Sequence, residues 1–253
     1  MNSDILSAKE YRRYQRQIMI PELQKAGQGK LKQAKVLVVG AGGLGCPALQ
    51  YLAAAGIGTL GIIDDALVDE SNLHRQVLYG SVDLGKLKAI VARQRLQQSN
   101  DLIHYKVLNI RLSESNAHEI IKDYDMVLDA TDNFPTRYLI NDTCVAQEKP
   151  MIYGAIYKFE GQISVFNYKG GPTYRCLFPQ PPKETEAPDP TDIGVIGVLP
   201  GIIGTLQANE AIKIILGKGK ILSGKMWIID LFNMKTYAVS IKANPDNYSI
   251  KRS

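Results

Sequence analysis

"KVLVVGAGGLGCP", residues 35–47, is a short apolar run that breaks straight into a glycine-rich turn. A run of β-branched residues bounded by glycines reads as a buried strand, and the apolar residues after Gly45 read as a helix. Gly40, Gly42 and Gly45 spell G-x-G-x-x-G between the two. Such a turn brings backbone N–H groups and a helix N-terminus toward a phosphate, whose negative charge the helix dipole favours. NAD and ATP are served equally by this motif, so it points to a fold before it points to a ligand.

Outward from the turn the chain alternates. "TLGIID" (59–64) reads as a second strand, followed by an amphipathic helix over 86–99 with Ile90, Val91 and Leu96 inward. Strands "HYKVLNI" and "DMVLDA" flank a helix near 115–123, and a helix after Pro135 leads to a strand at "MIYGA". Strand, helix, strand in repeated order predicts an α/β fold with a Rossmann-like, doubly wound, mostly parallel sheet. From Glu160 the period changes: "FEGQISV" alternates, with Phe159, Gly161, Ile163 and Val165 on one side. "MWIID" and "TYAVSI" read as further strands, so the C-terminal half extends the sheet with antiparallel strands. "GIIGTLQANEAIKIIL", preceded by Pro200, reads as a helix between "FEGQISV" and "MWIID". Residues 1–34 read as an N-terminal helical arm and 35–253 as a single nucleotide-binding domain. "FPQPPKETEAPDPTD", with five prolines, reads as a mobile surface loop over about 178–192.

The bulk numbers narrow the classes. A chain of 253 residues with 45% apolar and 22% charged residues is that of an ordinary globular protein. Its net charge of +5 is spread along the chain, which does not suggest nucleic acid and leaves a small polyanion open. Cys46, Cys144 and Cys176 form no C-x-x-C pair, against a disulfide framework and a sequence-evident zinc site. No apolar signal core or bilayer-length run is present, so the expectation is a soluble cytoplasmic protein with no membrane partner.

The residues after the glycines favour ATP. Asp64, nineteen residues beyond Gly45, ends the second strand, where its carboxylate suits ribose hydroxyls. Arg75 and Lys88 follow, and two cations near the phosphate end suit a triphosphate better than a nicotinamide. "LDATDN" sets Asp129 and Asp132 at the carboxyl edge of the sheet. A carboxylate facing phosphates calls for a cation between them, which implies magnesium. Asp129 has the alternative of capping the helix at "NFPTRY". His74, His104 and His118 carry no catalytic signal.

Together "RYQRQ", "VVGAGGLGCP", "YLAAAGIGTL", "SNLHRQ", "DATDNFPTRYLIND", "FEGQISVF", "YRCLFP" and "GVIGVLPGIIGTLQANEAIK" resemble the MoeB/ThiF/HesA adenylyltransferases, bacterial relatives of ubiquitin-activating enzymes, over roughly residues 11–230 in family order. The resemblance implies an ATP-dependent enzyme. Its substrate would be a ubiquitin-like sulfur-carrier protein ending in Gly-Gly, adenylated for thiamine or molybdopterin synthesis. Carried over, Gly43 lies against the nucleotide and Asp64 holds the ribose. Asn72, Arg75 and Gln76 contact the phosphates beside Lys88, and Asp132 binds magnesium. Arg16 reaches across a homodimer interface into the partner's ATP site. A sulfurtransferase is a further partner the resemblance leaves open.

Three positions depart from the family pattern. Relatives carry Asp-x-Asp where this chain has Asp64-Asp65-Ala66, and Asp65 is expected on the other face. Relatives bind zinc through two C-x-x-C pairs, but here "TYRC" and "NPDN" leave only Cys176, so no zinc is expected and Cys176 reads as a buried filler. The loop cysteine of relatives is Pro190, so the chemistry is expected to stop at the adenylate. Two other readings stand beside this one. An NAD-dependent oxidoreductase would use the glycine turn and Asp64, and a non-catalytic carrier-docking homologue would explain Ala66 and the missing cysteine.

Overall fold

The computed structural model describes residues 5–182 and 194–248. Strand β1 (Lys35–Val39) buries four consecutive residues, Val36 to Val39, and a strand apolar on both faces belongs inside a sheet covered on both sides. It pairs in parallel with β2 (Thr59–Ile63) on one side and β4 (Met126–Asp129) on the other. β3 (His104–Leu108) continues the parallel sheet beyond β2, and β5 (Met151–Tyr157) continues it beyond β4.

Direction reverses at a two-residue turn in which Lys158 is left-handed, φ 52°. β6 (Glu160–Phe166), β7 (Lys225–Asp230) and β8 (Lys235–Ser240) then add antiparallel strands. The single sheet runs β3-β2-β1-β4-β5-β6-β7-β8, a parallel half and an antiparallel extension, as the strand periods indicate.

Alternation divides the core between the two faces. Val36, Val38, Leu60, Ile62 and Leu128 pack under α1 (Ala8–Ile18), α2 (Gln24–Gln33), α3 (Gly45–Ala55), α4 (Lys88–Ser99) and α8 (Val198–Leu216). Leu37, Val39, Val127 and Phe166 pack under α5 (Ala117–Ile121), α6 (Phe134–Ala146) and α7 (Tyr174–Leu177). α1 opens on a capping box between Ser7 and Glu10 and buries Tyr14 and Ile18 on the body.

Three local expectations are corrected. α4 buries positions 88, 89, 91, 92 and 96, so Ile90, on the opposite side of that stripe, is 38% exposed rather than inward. α8 begins two residues before Pro200, which sits in its first turn where a missing N–H breaks no helical bond. Phe159 is an exposed turn residue, stacked edge-on against Phe232 with ring centroids 5.2 Å apart. Of the proline-rich stretch, residues 178–182 have no regular structure, and 183–193 lie outside the described residues. Among the described residues no helix is long and apolar enough to cross a membrane.

Candidate active site

At the carboxyl ends of the parallel strands lies a cavity of about 720 Å³. Its floor is the glycine turn. Gly40 is left-handed, φ +97°, and a Cβ there would stand 2.6 Å from the Ala130 carbonyl oxygen. A Cβ on Gly45 would lie 2.0 Å from the Gly40 oxygen, so both positions are fixed by the turn itself. Gly42 faces the cavity, where a Cβ would stand 3.5 Å from the Gln76 amide nitrogen. Gly43 lies between Pro200 of α8 and the Arg75 side chain, and also lines the cavity.

Asp64, just past β2, stands half-buried at the rim. Its Oδ2 accepts the Ala41 N–H at 2.7 Å and its Oδ1 the Ala66 N–H at 2.8 Å. Those bonds lock its rotamer while lone pairs remain for a ligand's hydroxyls. Asp65 also lines the cavity. β2 has ended at Ile63, so the strand alternation that would send Asp65 to the other face no longer applies. The Ala66 carbonyl accepts the Lys88 N–H at 3.0 Å, so the backbone at this departure from the family pattern ties the Asp64 rim to the start of α4.

The segment that leads from β2 into α4 carries the cations. Asn72 ends a short 3₁₀ turn (Glu70–Asn72) that Asp69 caps. Its Oδ1 accepts the Gln76 amide at 2.5 Å and the Lys88 ammonium at 3.2 Å. Lys88 is only 8% exposed, and that neutral oxygen is the one side-chain acceptor for its ammonium among the described residues. A desolvated cation without a counter-charge is costly and is a ready seat for an anion. Beside it, Gln76 Oε1 is buried with no hydrogen-bond partner among the described residues. The Arg75 guanidinium donates to the Ser71 carbonyl at 3.1 Å and lies 2.7 Å from the His74 ring.

Asp132, in the turn after β4, is exposed on the cavity wall. Asp129 does not join it there. Its carboxylate is fully buried, taking the Arg137 Nε–H at 2.9 Å, the Thr131 N–H at 3.0 Å and the Thr131 hydroxyl at 2.5 Å. It does not cap α6 either: Asn133 accepts the Thr136 N–H at 3.0 Å. No group of three or more His, Cys, Asp or Glu side chains suited to a metal occurs among the described residues. A lone carboxylate still suits magnesium, which keeps several waters and is held chiefly by nucleotide phosphates.

One sequence-expected residue stands apart. Arg16 is exposed on the outer side of α1 and does not line this cavity. Among the lining residues that the sequence did not single out is Arg137, buried in the first turn of α6. A cation there opposes the helix dipole, which was the available signal that something other than helix formation keeps it.

The cysteines divide sharply. Cys46 and Cys144 are buried, and burial pushes the Cys46 thiol up to about 12. Cys176 is not a buried filler. Burial raises its thiol, but hydrogen bonds from Asn247, Thr173 and the Asn244 amide outweigh this and hold it below its ordinary value. The group around it offers one sulfur, three amide N–H groups and a hydroxyl, a donor set that does not fit tetrahedral zinc.

The ThiF family profile matches residues 14–249. The chain belongs to the ThiF family. This ThiF-family chain is 48% identical, over 94% of its length and 89% of the relative's, to the sulfur carrier protein adenylyltransferase of Thermus thermophilus. It is 45% identical over 97% of its length to the probable adenylyltransferase/sulfurtransferase MoeZ of Mycobacterium tuberculosis, and spans 64% of that longer protein. Its fold is shared with E. coli MccB solved with ATP, at 22% identity and a TM-score of 0.81, covering 97% of this chain and 75% of that one.

Proposed function

We propose that this ThiF-family chain is an enzyme, a nucleotidyltransferase that adenylates the C-terminal Gly-Gly carboxylate of a ubiquitin-like sulfur-carrier protein, for thiamine or molybdopterin synthesis. The observation that carries the reading is the buried Lys88 ammonium, which among the described residues has no ion-pair partner and shares one cavity with Arg75, the Gln76 Oε1 that lacks a hydrogen-bond partner there, and the anchored Asp64. That wall is built for a polyanion. The chain's sulfur-carrier adenylyltransferase relative suggests the acceptor class, and a nicotinamide would leave Lys88 without a counter-charge.

In the proposed reaction an oxygen of the carrier's terminal carboxylate attacks the α-phosphorus of ATP. A P–O bond forms there as the bond to the departing pyrophosphate breaks, giving the acyl-adenylate. The carboxylate is already ionised, so the chain needs no strong base; it supplies position and charge. Asp64 takes the ribose hydroxyls, Gly42 and Gly43 let the backbone approach the phosphates, and Asn72 and Gln76 orient them. Arg75 and Lys88 offset the charge that passes to pyrophosphate. Magnesium, held beside Asp132, would screen the phosphates from that carboxylate and from the incoming one. The active form proposed is a cytoplasmic homodimer whose Arg16 completes the partner's site. A separate sulfurtransferase would receive the adenylate, a role suggested by the longer MoeZ relative.

The deciding experiment incubates the chain with ATP, magnesium and Gly-Gly carriers, and weighs each carrier by mass spectrometry. A gain of one AMP on one carrier is expected and would name the pathway. Carrier binding without any adduct would instead mark a docking homologue.

A further inference from the structure

Arg137 and Asp129 form the most deeply buried ion pair among the described residues, with side chains 8% and 0% exposed. Such pairs are weak sources of stability, because desolvation cancels much of their attraction. This one also sets a cation in the first turn of α6, against the helix dipole. Its hydrogen bonds converge on one residue. Thr131 gives its N–H and hydroxyl to Asp129 Oδ1, and its carbonyl accepts Arg137 Nη2 at 2.9 Å. That carbonyl belongs to the peptide joining Thr131 to Asp132, so Arg137 sets the plane from which the Asp132 side chain departs.

The clamp is itself held from both sides. The Arg137 guanidinium lies over the Tyr153 ring, 4.9 Å from its centroid. Buried Gln207 of α8 donates to the Asp129 carbonyl at 2.7 Å and to the Ile152 carbonyl at 3.1 Å, bridging the end of β4 to the start of β5.

We infer that Arg137, seated on Asp129, is a positioning residue that fixes the Thr131–Asp132 peptide and so aims the Asp132 carboxylate into the cavity. The inference rests on the adenylylation reading, which gives Asp132 its task.

Arg137→Lys tests it, because an ammonium keeps the charge on Asp129 but lacks the rigid fork that also reaches the Thr131 carbonyl. At saturating ATP and carrier, kcat should fall about tenfold or more, with both KM values within about threefold, the signature of lost geometry rather than lost binding. Amide hydrogen exchange at Asp132 and Asn133 should quicken, while that of β1 and α8 stays unchanged. The companion Asp129→Asn/Arg137→Gln removes both charges together; its thermal midpoint should stay near that of the parent chain while kcat stays low. Three results would overturn the inference: an Arg137→Lys kcat within twofold of the parent, unchanged exchange at 132–133, or a double variant with parental kcat. A parent chain that transfers no AMP to any carrier would instead remove the adenylylation reading, and this inference with it.

Discussion

At the scale of single residues, burial without compensation marks the site more sharply than charge alone. Lys88 and Lys9 carry the same group, but Lys9 is exposed and paired with Asp101 at 2.7 Å, whereas Lys88 is buried against one neutral oxygen. Lys88→Ala should therefore lower kcat/KM for adenylation by about 10²–10³, the scale of losing one preorganised charge at a reacting phosphate. Carrier affinity, measured by calorimetry without ATP, should not change; an equal loss there would show a folding defect. The thiols permit a second test. Iodoacetamide near pH 8 should modify Cys176 first, because its hydrogen bonds favour the thiolate, and leave Cys46 and Cys144 untouched until urea unfolds the chain. Asn247→Ala removes one donor to the sulfur and should slow that first alkylation, as read by peptide mass mapping.

At the scale of elements, the site depends on how two connections are held. The segment between β2 and α4 is pinned by Asp83, whose buried carboxylate accepts Arg95 at 2.8 Å and the Gly80 N–H at 3.1 Å, with Lys86 near. Hydrogen bonding from Arg95 is the leading cause holding that carboxyl below its ordinary value, with the Gly80 amide and Lys86 adding to it. A depressed folded pKa contributes stability that is present above the unfolded value and lost as pH falls through the folded one. Asp83→Asn should thus cost about 1–2 kcal/mol at pH 7, at the low end for a buried carboxylate because Arg95 and Lys86 are half in water. The gap between variant and parent in urea midpoint should close as pH drops below about 4. The other connection is the glycine turn. Gly40→Ala meets both a left-handed φ and the Ala130 carbonyl, and should cost about 2–4 kcal/mol by urea unfolding.

These elements also show what the sequence made legible. The glycine turn, the strand periods and Asp64 at the end of β2 could be read because spacing along the chain fixed their placement, whereas Asn72 and Gln76 were signalled only by the family resemblance, and the structure gathers them with Arg75 and Lys88 around one cavity. The Asp129–Arg137 clamp could not be read. Whether Asp129 faces a ligand, a helix end or an arginine eight residues on depends on how α6 packs over β4, which no local pattern encodes. Asp65 was misplaced for a related reason, since alternation says nothing once a strand has ended.

At the scale of the whole molecule, the open question is the second copy. α1 is firmly seated: Tyr14 and Ile18 are buried, the Asn100 amide donates to the Tyr14 hydroxyl at 2.9 Å, and Lys9 and Arg13 reach Asp101 and the Ser99 carbonyl. Arg16 is thus held outward on a fixed helix, away from the cavity of its own chain. A residue so placed can serve an active site only if another molecule brings that site to it. The proposed cross-dimer role therefore has a consequence that a merely solvated arginine would not share. Arg16→Ala and Lys88→Ala should each be inactive alone. Unfolded together and refolded, they should form mixed dimers in which the cavity of the Arg16→Ala chain keeps its Lys88 and receives Arg16 from its companion. Random pairing gives one whole site in half the dimers, so activity should return to about a quarter of the parental rate. If the mixture stays as inactive as its parts while light scattering shows dimers, Arg16 does not act across the interface. A chain that scatters as a monomer at working concentration would exclude the shared site altogether.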